Sequence, residues 1–450
     1  MDFTLRKRKN ILYTIQNPFQ QFINTEATGG ILLIFFTVFA LIWANSGWAG
    51  TYHSLWQQKL TIGLGEFALS KTLGQWINDG LMAIFFFVVG LEIKREIVAG
   101  ELSSIRQATL PFAAAIGGML IPAGLFILLL GRNPGIEGWG IPMATDIAFS
   151  LGILSLLGKR VPLSLKIFLT AFAIVDDLGA VMVIALFYSS GIVWSSLLIA
   201  LGLIVVLIIF NITGVRRIPL YMIVGFVIWY LFLTSGIHPT LAAVIVAMTI
   251  PVHRKVKAHV FVRKMQSNLD DFCKDDCRDG VVLTKKQLVA LDNMEWLAYR
   301  VQSPVQELEH SLHGFVTFIV MPIFALANAG VDLTPGDFSI VNPLTSSIAL
   351  SLVFGKVLGV VLGVFIVVRL GMGRMPGNTR WPHMIGVGLL GGVGFTMSLF
   401  ISNLAYSDAL MLNEAKIGIL IGSLVAGIAG YLILRNTLSE SDGIESLETG

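Results

Sequence analysis

The sequence predicts an all-α polytopic membrane protein of about twelve transmembrane helices, and three observations carry that prediction. Of 450 residues, 55% are hydrophobic and 13% charged, the latter about half the share in ordinary soluble domains. Apolar runs near the roughly 20 residues that one crossing needs recur along the chain. They centre near Phe36, Phe85, Leu120, Phe149, Ile174, Val205, Val227, Val244, Val320, Val360, Gly391 and Leu424. Lys and Arg, finally, alternate between dense and sparse in successive loops, as the two sides of a bilayer require.

Taken in order, the basic start Arg6-Lys7-Arg8-Lys9 lies far ahead of the first run. No small-residue cleavage site follows a short apolar core, so no cleavable signal peptide is expected. Between the first and second runs, Gly47 to Gly74 holds K-L-T-I-G-L-G-E-F-A-L-S-K, with alternating apolar residues around Gly63-Leu64-Gly65-Glu66. That pattern predicts an external hairpin near residues 59–71, expected to join two copies of the chain rather than to form a site. The loops carrying Lys94, Arg95 and Arg106, then Lys159 and Arg160, then Arg216 and Arg217, then Arg369, Arg374 and Arg380 belong on the cytoplasmic side. The intervening loops hold Lys59, Lys71 and Arg132. Both termini are therefore cytoplasmic and the number of crossings is even. The seventh and eighth runs are short and divided by Ser235-Gly236-Ile237-His238-Pro239, so eleven crossings is the nearest alternative.

A charged cytoplasmic insertion runs from Pro251 to Pro304. Within it Leu288, Leu291, Met294, Leu297 and Val301 repeat at helical spacing, predicting one amphipathic helix against the membrane or the protein body. Cys273 and Cys277, in C-K-D-D-C, read as reduced thiols, because a metal site would need further spaced Cys or His. Residues 1–435 thus form a single integral membrane domain, and 436–450 a polar cytoplasmic tail. Forty-six glycines suit helices that approach closely in lipid. A formal charge of +3 gives no reason to expect a nucleic-acid partner.

Four charges interrupt these runs. Asp176 and Asp177 sit side by side in the segment from about Leu163 to Tyr188, Asp146 in the preceding one and Lys356 in the tenth. A charge at bilayer depth costs several kcal/mol, so such residues usually face a polar interior and mark an ion or proton pathway. At about 1.5 Å per residue, all four fall near the midplane. A structural ion pair explains one acid and one lysine; three acids and a lysine at one depth point to ion transport. The runs holding Asp146 and Gly391 are also broken. Pro142 precedes Ala144-Thr145-Asp146, and Gly391-Gly392-Val393-Gly394 interrupts the eleventh run. Spans three to five and ten to twelve have opposite topology, as in an inverted repeat. Two opposed broken helices crossing at the midplane would bring paired positive N-terminal ends and paired negative C-terminal ends together. Asp146 would offset the first and Lys356 the second.

Seven stretches then resemble the NhaA-type sodium/proton antiporter family, a family built on inverted repeats with broken helices. They are W-I-N-D-G-L-M-A-I-F-F-F-V-V-G-L-E-I-K-R-E (Trp76 to Glu96), A-T-D-I-A-F (Ala144 to Phe149), K-I-F-L-T-A-F-A-I-V-D-D-L-G-A (Lys166 to Ala180), S-G-I-H-P-T-L-A (Ser235 to Ala242), P-I-F-A-L-A-N-A-G-V (Pro322 to Val331), F-G-K-V-L-G (Phe354 to Gly359) and G-G-V-G-F-T-M-S-L-F (Gly391 to Phe400). The resemblance places Asp176, Asp177 and Thr145 where the family binds its cation and proton, with Asp177 and Asp176 as the sodium ligands. Asp146 and Lys356 fall where the family balances its helix ends. Glu92, Arg95, Glu96, Glu309 and His310 fall on its cytoplasmic funnel, associated with pH response. It also implies a bacterial inner-membrane protein that is not an enzyme and needs no cofactor, with sodium, lithium and protons as its ions. The insertion is longer than the compact family pattern.

The chemistry of the residues agrees. Burial disfavours a charged carboxyl and a nearby lysine favours it. A poised carboxyl can hold a proton, then offer hard oxygens to a small hard cation. Carboxylates holding either protons or a cation make an exchanger when access alternates. Successive helix residues point about 100° apart, so the two aspartates have unequal partners. Asp177 is expected to be the principal ligand, with Asp176 sharing that role or pairing with Lys356. Release of both protons for one sodium makes exchange electrogenic. Asp79, beside Asn78, reads as a buried hydrogen-bonded acid, and His238 as a packed or capping histidine with pH sensing as the alternative. An intramembrane aspartyl protease would need a G-x-G-D signature that V-D-D-L-G lacks. A proton-coupled carrier of another small solute stays open and would need a roomier pocket.

Overall fold

The computed structural model describes residues 18–63, 68–189, 191–254, 256–273, 282–332, 342–377 and 379–438. In chain order the helices are α1 (Pro18–Ala44), α2 (Ala49–Gln57), α3 (Leu73–Trp76), α4 (Met82–Ala99), α5 (Ile105–Leu130), α6 (Ile147–Ser155), α7 (Leu163–Phe187), α8 (Trp194–Ile212), α9 (Ile218–Ser235) and α10 (Pro239–Thr249). There follow α11 (Ala258–Cys273), α12 (Lys285–Val301), α13 (Pro304–Phe315), α14 (Met321–Asn328), α15 (Pro343–Leu350), α16 (Lys356–Arg369), α17 (Trp381–Gly391), α18 (Phe395–Ala405) and α19 (Ala409–Thr437). Wide π-helical turns at Ile77–Leu81, Val316–Val320 and Ser351–Gly355 join α3 to α4, α13 to α14 and α15 to α16.

Among the described residues, seven helices are long and apolar enough to cross a membrane, or up to nine if each of two bent pairs is one span. The sequence predicts about twelve. The runs centred near Phe85, Phe149 and Val244 account for the difference. They form helices, but α6 and α10 have only 9 and 11 residues, and α4 ends in the charged run Glu92–Glu96.

Helix boundaries follow local chemistry. The Ser104 hydroxyl accepts the Gln107 N–H at 3.3 Å and starts α5, and Ser303 caps α13 through Gln306 in a reciprocal box. Small residues then set the closest crossing. A Cβ on Gly117 would lie 2.1 Å from the Gly359 carbonyl oxygen, and one on Gly359 equally close to that of Gly117. Helices α5 and α16 therefore meet backbone to backbone, as small-residue interfaces in lipid allow. That crossing sets where Lys356, the first residue of α16, enters the interior.

The hairpin expected near residues 59–71 is present as β1 (Lys59–Ile62) paired antiparallel with β2 (Leu69–Thr72), Lys59 opposite Thr72. Residues 64–67 of its predicted turn lie outside the described residues. The insertion holds two helices instead of one, α11 packing along α12. The inward face of α12 carries Ala290 and Leu297, while Leu288 and Leu291, part of the expected stripe, are exposed. Leu297 belongs to the expected stripe, and Met294 and Val301 are half-buried, so the stripe is buried toward its C-terminal end only. Cys273 is exposed and Cys277 lies outside the described residues.

Candidate functional site

Two breaks in the helices meet. Ahead of α6, the turn Ile136–Met143 gives way at Ala144 to extended backbone, and α17 and α18 bend by 44° around Gly392–Gly394. Pro142 lacks an N–H, and Gly392 is needed because a Cβ there would lie 2.3 Å from the Leu352 carbonyl oxygen. Backbone groups freed by one break are satisfied by the other. The Asp146 N–H donates to the Val393 carbonyl at 2.7 Å. The Thr145 hydroxyl donates to Gly391 O at 2.8 Å, and that of Ser150 to Leu390 O at 2.7 Å. Hydroxyls thus cover the carbonyl end of α17.

Asp146 caps both outgoing half-helices at once. Its Oδ1 accepts the Phe149 N–H of α6 at 3.0 Å. Its Oδ2 accepts the Thr396 N–H at 3.1 Å and the Thr396 hydroxyl at 2.5 Å. A carboxylate facing two positive helix ends is the favourable sign. Thr396 has no marker in the sequence beyond standing two residues past the glycine break.

Helix α7 carries Asp176 and Asp177 into this crossing, each only 1% exposed. Lys356 Nζ donates to Asp176 Oδ2 at 2.8 Å, both side chains fully buried. Of the two partners left open for Asp176, the fold supplies the lysine. The same ammonium stands 5.6 Å over the Phe172 ring, one turn back along α7. Thr145 adjoins the Asp176 carboxyl. Both carboxyl oxygens of Asp177 are buried and accept no hydrogen bond among the described residues. A bare charge buried without donors is costly.

Glu92, Arg95, Glu96 and Glu309 come together at the charged end of α4. Arg95 pairs with Glu309 and, at 2.9 Å, with Glu96. His310 lies apart from them, exposed on α13. It is His313 that faces Glu92, at 3.9 Å. Glu309 and His313 are four residues apart and share a helix face, a spacing that identifies His313 once Glu309 is placed inward. Lys94 donates to the Met248 and Ile250 carbonyls, covering the C-terminal end of α10 with a cation.

A second polar group surrounds Asp79. Lys71 Nζ lies 2.5 Å from its Oδ2, and His238 Nε2 3.6 Å from its Oδ1. His238 Nδ1 stands 2.7 Å from the Thr240 hydroxyl at the start of α10, the capping position. The sequence suggests a buried hydrogen-bonded acid; Asp79 is instead half-buried and ion-paired, with the hairpin residue Lys71 as its partner.

Residues 20–434 match the sequence profile of the Na+/H+ antiporter 1 family. The chain is 49% identical over 422 residues to the Na(+)/H(+) antiporter NhaA of Oleidesulfovibrio alaskensis, covering 93% of each protein. It is 48% identical to the Na(+)/H(+) antiporter NhaA 2 of Syntrophotalea carbinolica, covering 93% of this chain and 96% of that one. A solved sodium proton antiporter from Methanocaldococcus jannaschii aligns with 93% of the chain at 13% identity and a TM-score of 0.48, too loose a likeness to carry a structural argument.

Proposed function

The chain belongs to the Na+/H+ antiporter 1 family, and from that premise we propose that it expels sodium, and lithium, from the cytoplasm in exchange for external protons. One observation supports the reading above the others. Asp177 is a buried carboxyl whose oxygens have no hydrogen-bond donor among the described residues, so it is free to bind a proton or a small cation in turn. Asp176 shares the cation while its Lys356 partner offsets the charge, and Thr145 can add a hydroxyl oxygen. Small hard ions suit this oxygen set.

In this reading twelve spans cross the bacterial inner membrane with both termini in the cytoplasm, and spans three to five repeat inverted as ten to twelve. The crossing of α6 with α17 and α18 lies at the midplane, where Asp146 and Lys356 balance the helix ends. Exchange is electrogenic, and the Arg95–Glu309–Glu96 and Glu92–His313 pairs govern its pH response. The β1–β2 hairpin joins two copies of the chain.

The test is a cation series. Sodium, lithium and potassium are added in turn to acid-loaded inverted vesicles holding the protein, and interior pH is followed. Sodium and lithium should each collapse the proton gradient, and potassium should do little. An equal response to potassium would remove the proposed selectivity. Uptake of an organic solute with no sodium dependence would favour the carrier reading.

A further inference from the structure

A cleft of about 550 Å³ opens between the starts of α5 and α7 and the loop after α16, on the face that bears the basic loops. Its rim carries Arg106, Gln107, Ser164 and Arg374, and its floor is apolar, with Leu110, Pro111 and Phe168. Glu101 lines it too, yet neither arginine has an ion pair with it or with any other carboxylate among the described residues. Two guanidiniums against one carboxylate leave the cleft net positive. Helix α7 begins there at Leu163, and Pro162 before it supplies no side-chain cap, so its first N–H groups add to the positive end.

We propose that this cleft binds a phosphate monoanion or diester, with the arginine forks on the phosphate oxygens, and that the group belongs to an anionic phospholipid. Guanidiniums match phosphate geometry with paired hydrogen bonds. The apolar floor below the arginines would seat the start of an acyl chain, which free phosphate could not use. The floor also touches the transport machinery. Phe168 stacks on Phe172 with ring centroids 6.5 Å apart, and Phe172 lies under the Lys356 ammonium. A bound lipid therefore braces the column that holds Lys356 and should stabilise the fold.

The experiment follows melting of the full chain, stripped of lipid in an uncharged detergent, after adding phosphatidylglycerol, phosphatidylcholine or inorganic phosphate. Phosphatidylglycerol should raise the melting temperature at least twice as far as phosphatidylcholine. Arg106→Gln with Arg374→Gln should melt like the parent without lipid, and should lose the extra shift. If the pair does not fold, Arg106→Lys and Arg374→Lys singly should each halve the shift, since charge remains but the fork is lost. Inorganic phosphate that matches the shift, and fails to do so in the variants, would support the phosphate site but overturn the phospholipid as its source. A phosphatidylglycerol shift that survives the arginine substitutions, or is absent from the parent, would overturn the site.

Discussion

Replacing Lys356 by alanine separates two things that this side chain does. It supplies the charge opposite Asp176, at 2.8 Å and fully buried, and its stem fills interior space. Removing one partner of a buried pair destabilises by about 3–5 kcal/mol. Of that, the three methylenes lost from the stem account for roughly 2 kcal/mol, at about 0.8 kcal/mol each. The remainder, on the order of 1–3 kcal/mol, is the penalty of an orphaned carboxylate. Adding Asp176→Asn should recover that remainder but leave the packing loss. Lys356→Met with Asp176→Asn should restore both and melt close to the parent. Because the orphaned acid can bind a proton and shed its charge, the deficit of Lys356→Ala should be largest at alkaline pH and shrink as pH falls. The assay is thermal unfolding in detergent at several pH values. If Lys356→Ala with Asp176→Asn melts no higher than Lys356→Ala alone at alkaline pH, the pair does not stabilise the fold in the way argued.

Three other perturbations probe the surrounding frame. Thr396→Val removes the hydroxyl that reaches Asp146 at 2.5 Å but keeps the backbone N–H at 3.1 Å; it should lower stability by about 1.5–3 kcal/mol in the same melting assay, and an unchanged melt would mean the second cap is idle. Gly359→Ala places a methyl 2.1 Å from the Gly117 carbonyl oxygen, so α5 and α16 must separate; a loss of about 1–3 kcal/mol together with slower exchange is expected, and a neutral outcome would show that the crossing can yield. Since His313 and not His310 faces Glu92, His313→Ala should displace the pH profile of exchange while His310→Ala leaves it in place; the reverse pattern would put the wrong histidine in the cluster.

The parts of the site that were legible in the sequence are those that violate the bilayer's rules. Asp146, Asp176, Asp177 and Lys356 stand out because charge inside an apolar run is expensive. The breaks stand out because Pro142 and the Gly391–Gly394 run cannot continue a regular helix. Their partners carry no such mark. Thr396 is a threonine among apolar neighbours, and only the fold brings its hydroxyl to Asp146. Lys71 reads as a loop lysine until β2 turns it toward Asp79. The π-helical turn at Ser351–Gly355, which leads directly into Lys356, has no composition of its own. In the insertion, Phe261, Met265 and Phe272 of α11 do follow helical spacing. Charged neighbours dilute that pattern, so the sequence points to α12 alone, and of its stripe Leu288 and Leu291 are exposed while Leu297 is buried.

In the proposed mechanism one set of carboxyls holds either protons or a cation. Its most direct measurement is proton release on cation binding, with no membrane gradient present. Purified protein in detergent and almost unbuffered solution is titrated with sodium chloride while pH is recorded. Protons should appear with sodium and with lithium, little with potassium, and none with sodium when Asp177→Asn replaces the proposed principal ligand in a protein that still folds. Sodium binding, detected calorimetrically, that releases no proton from the parent would contradict that mechanism.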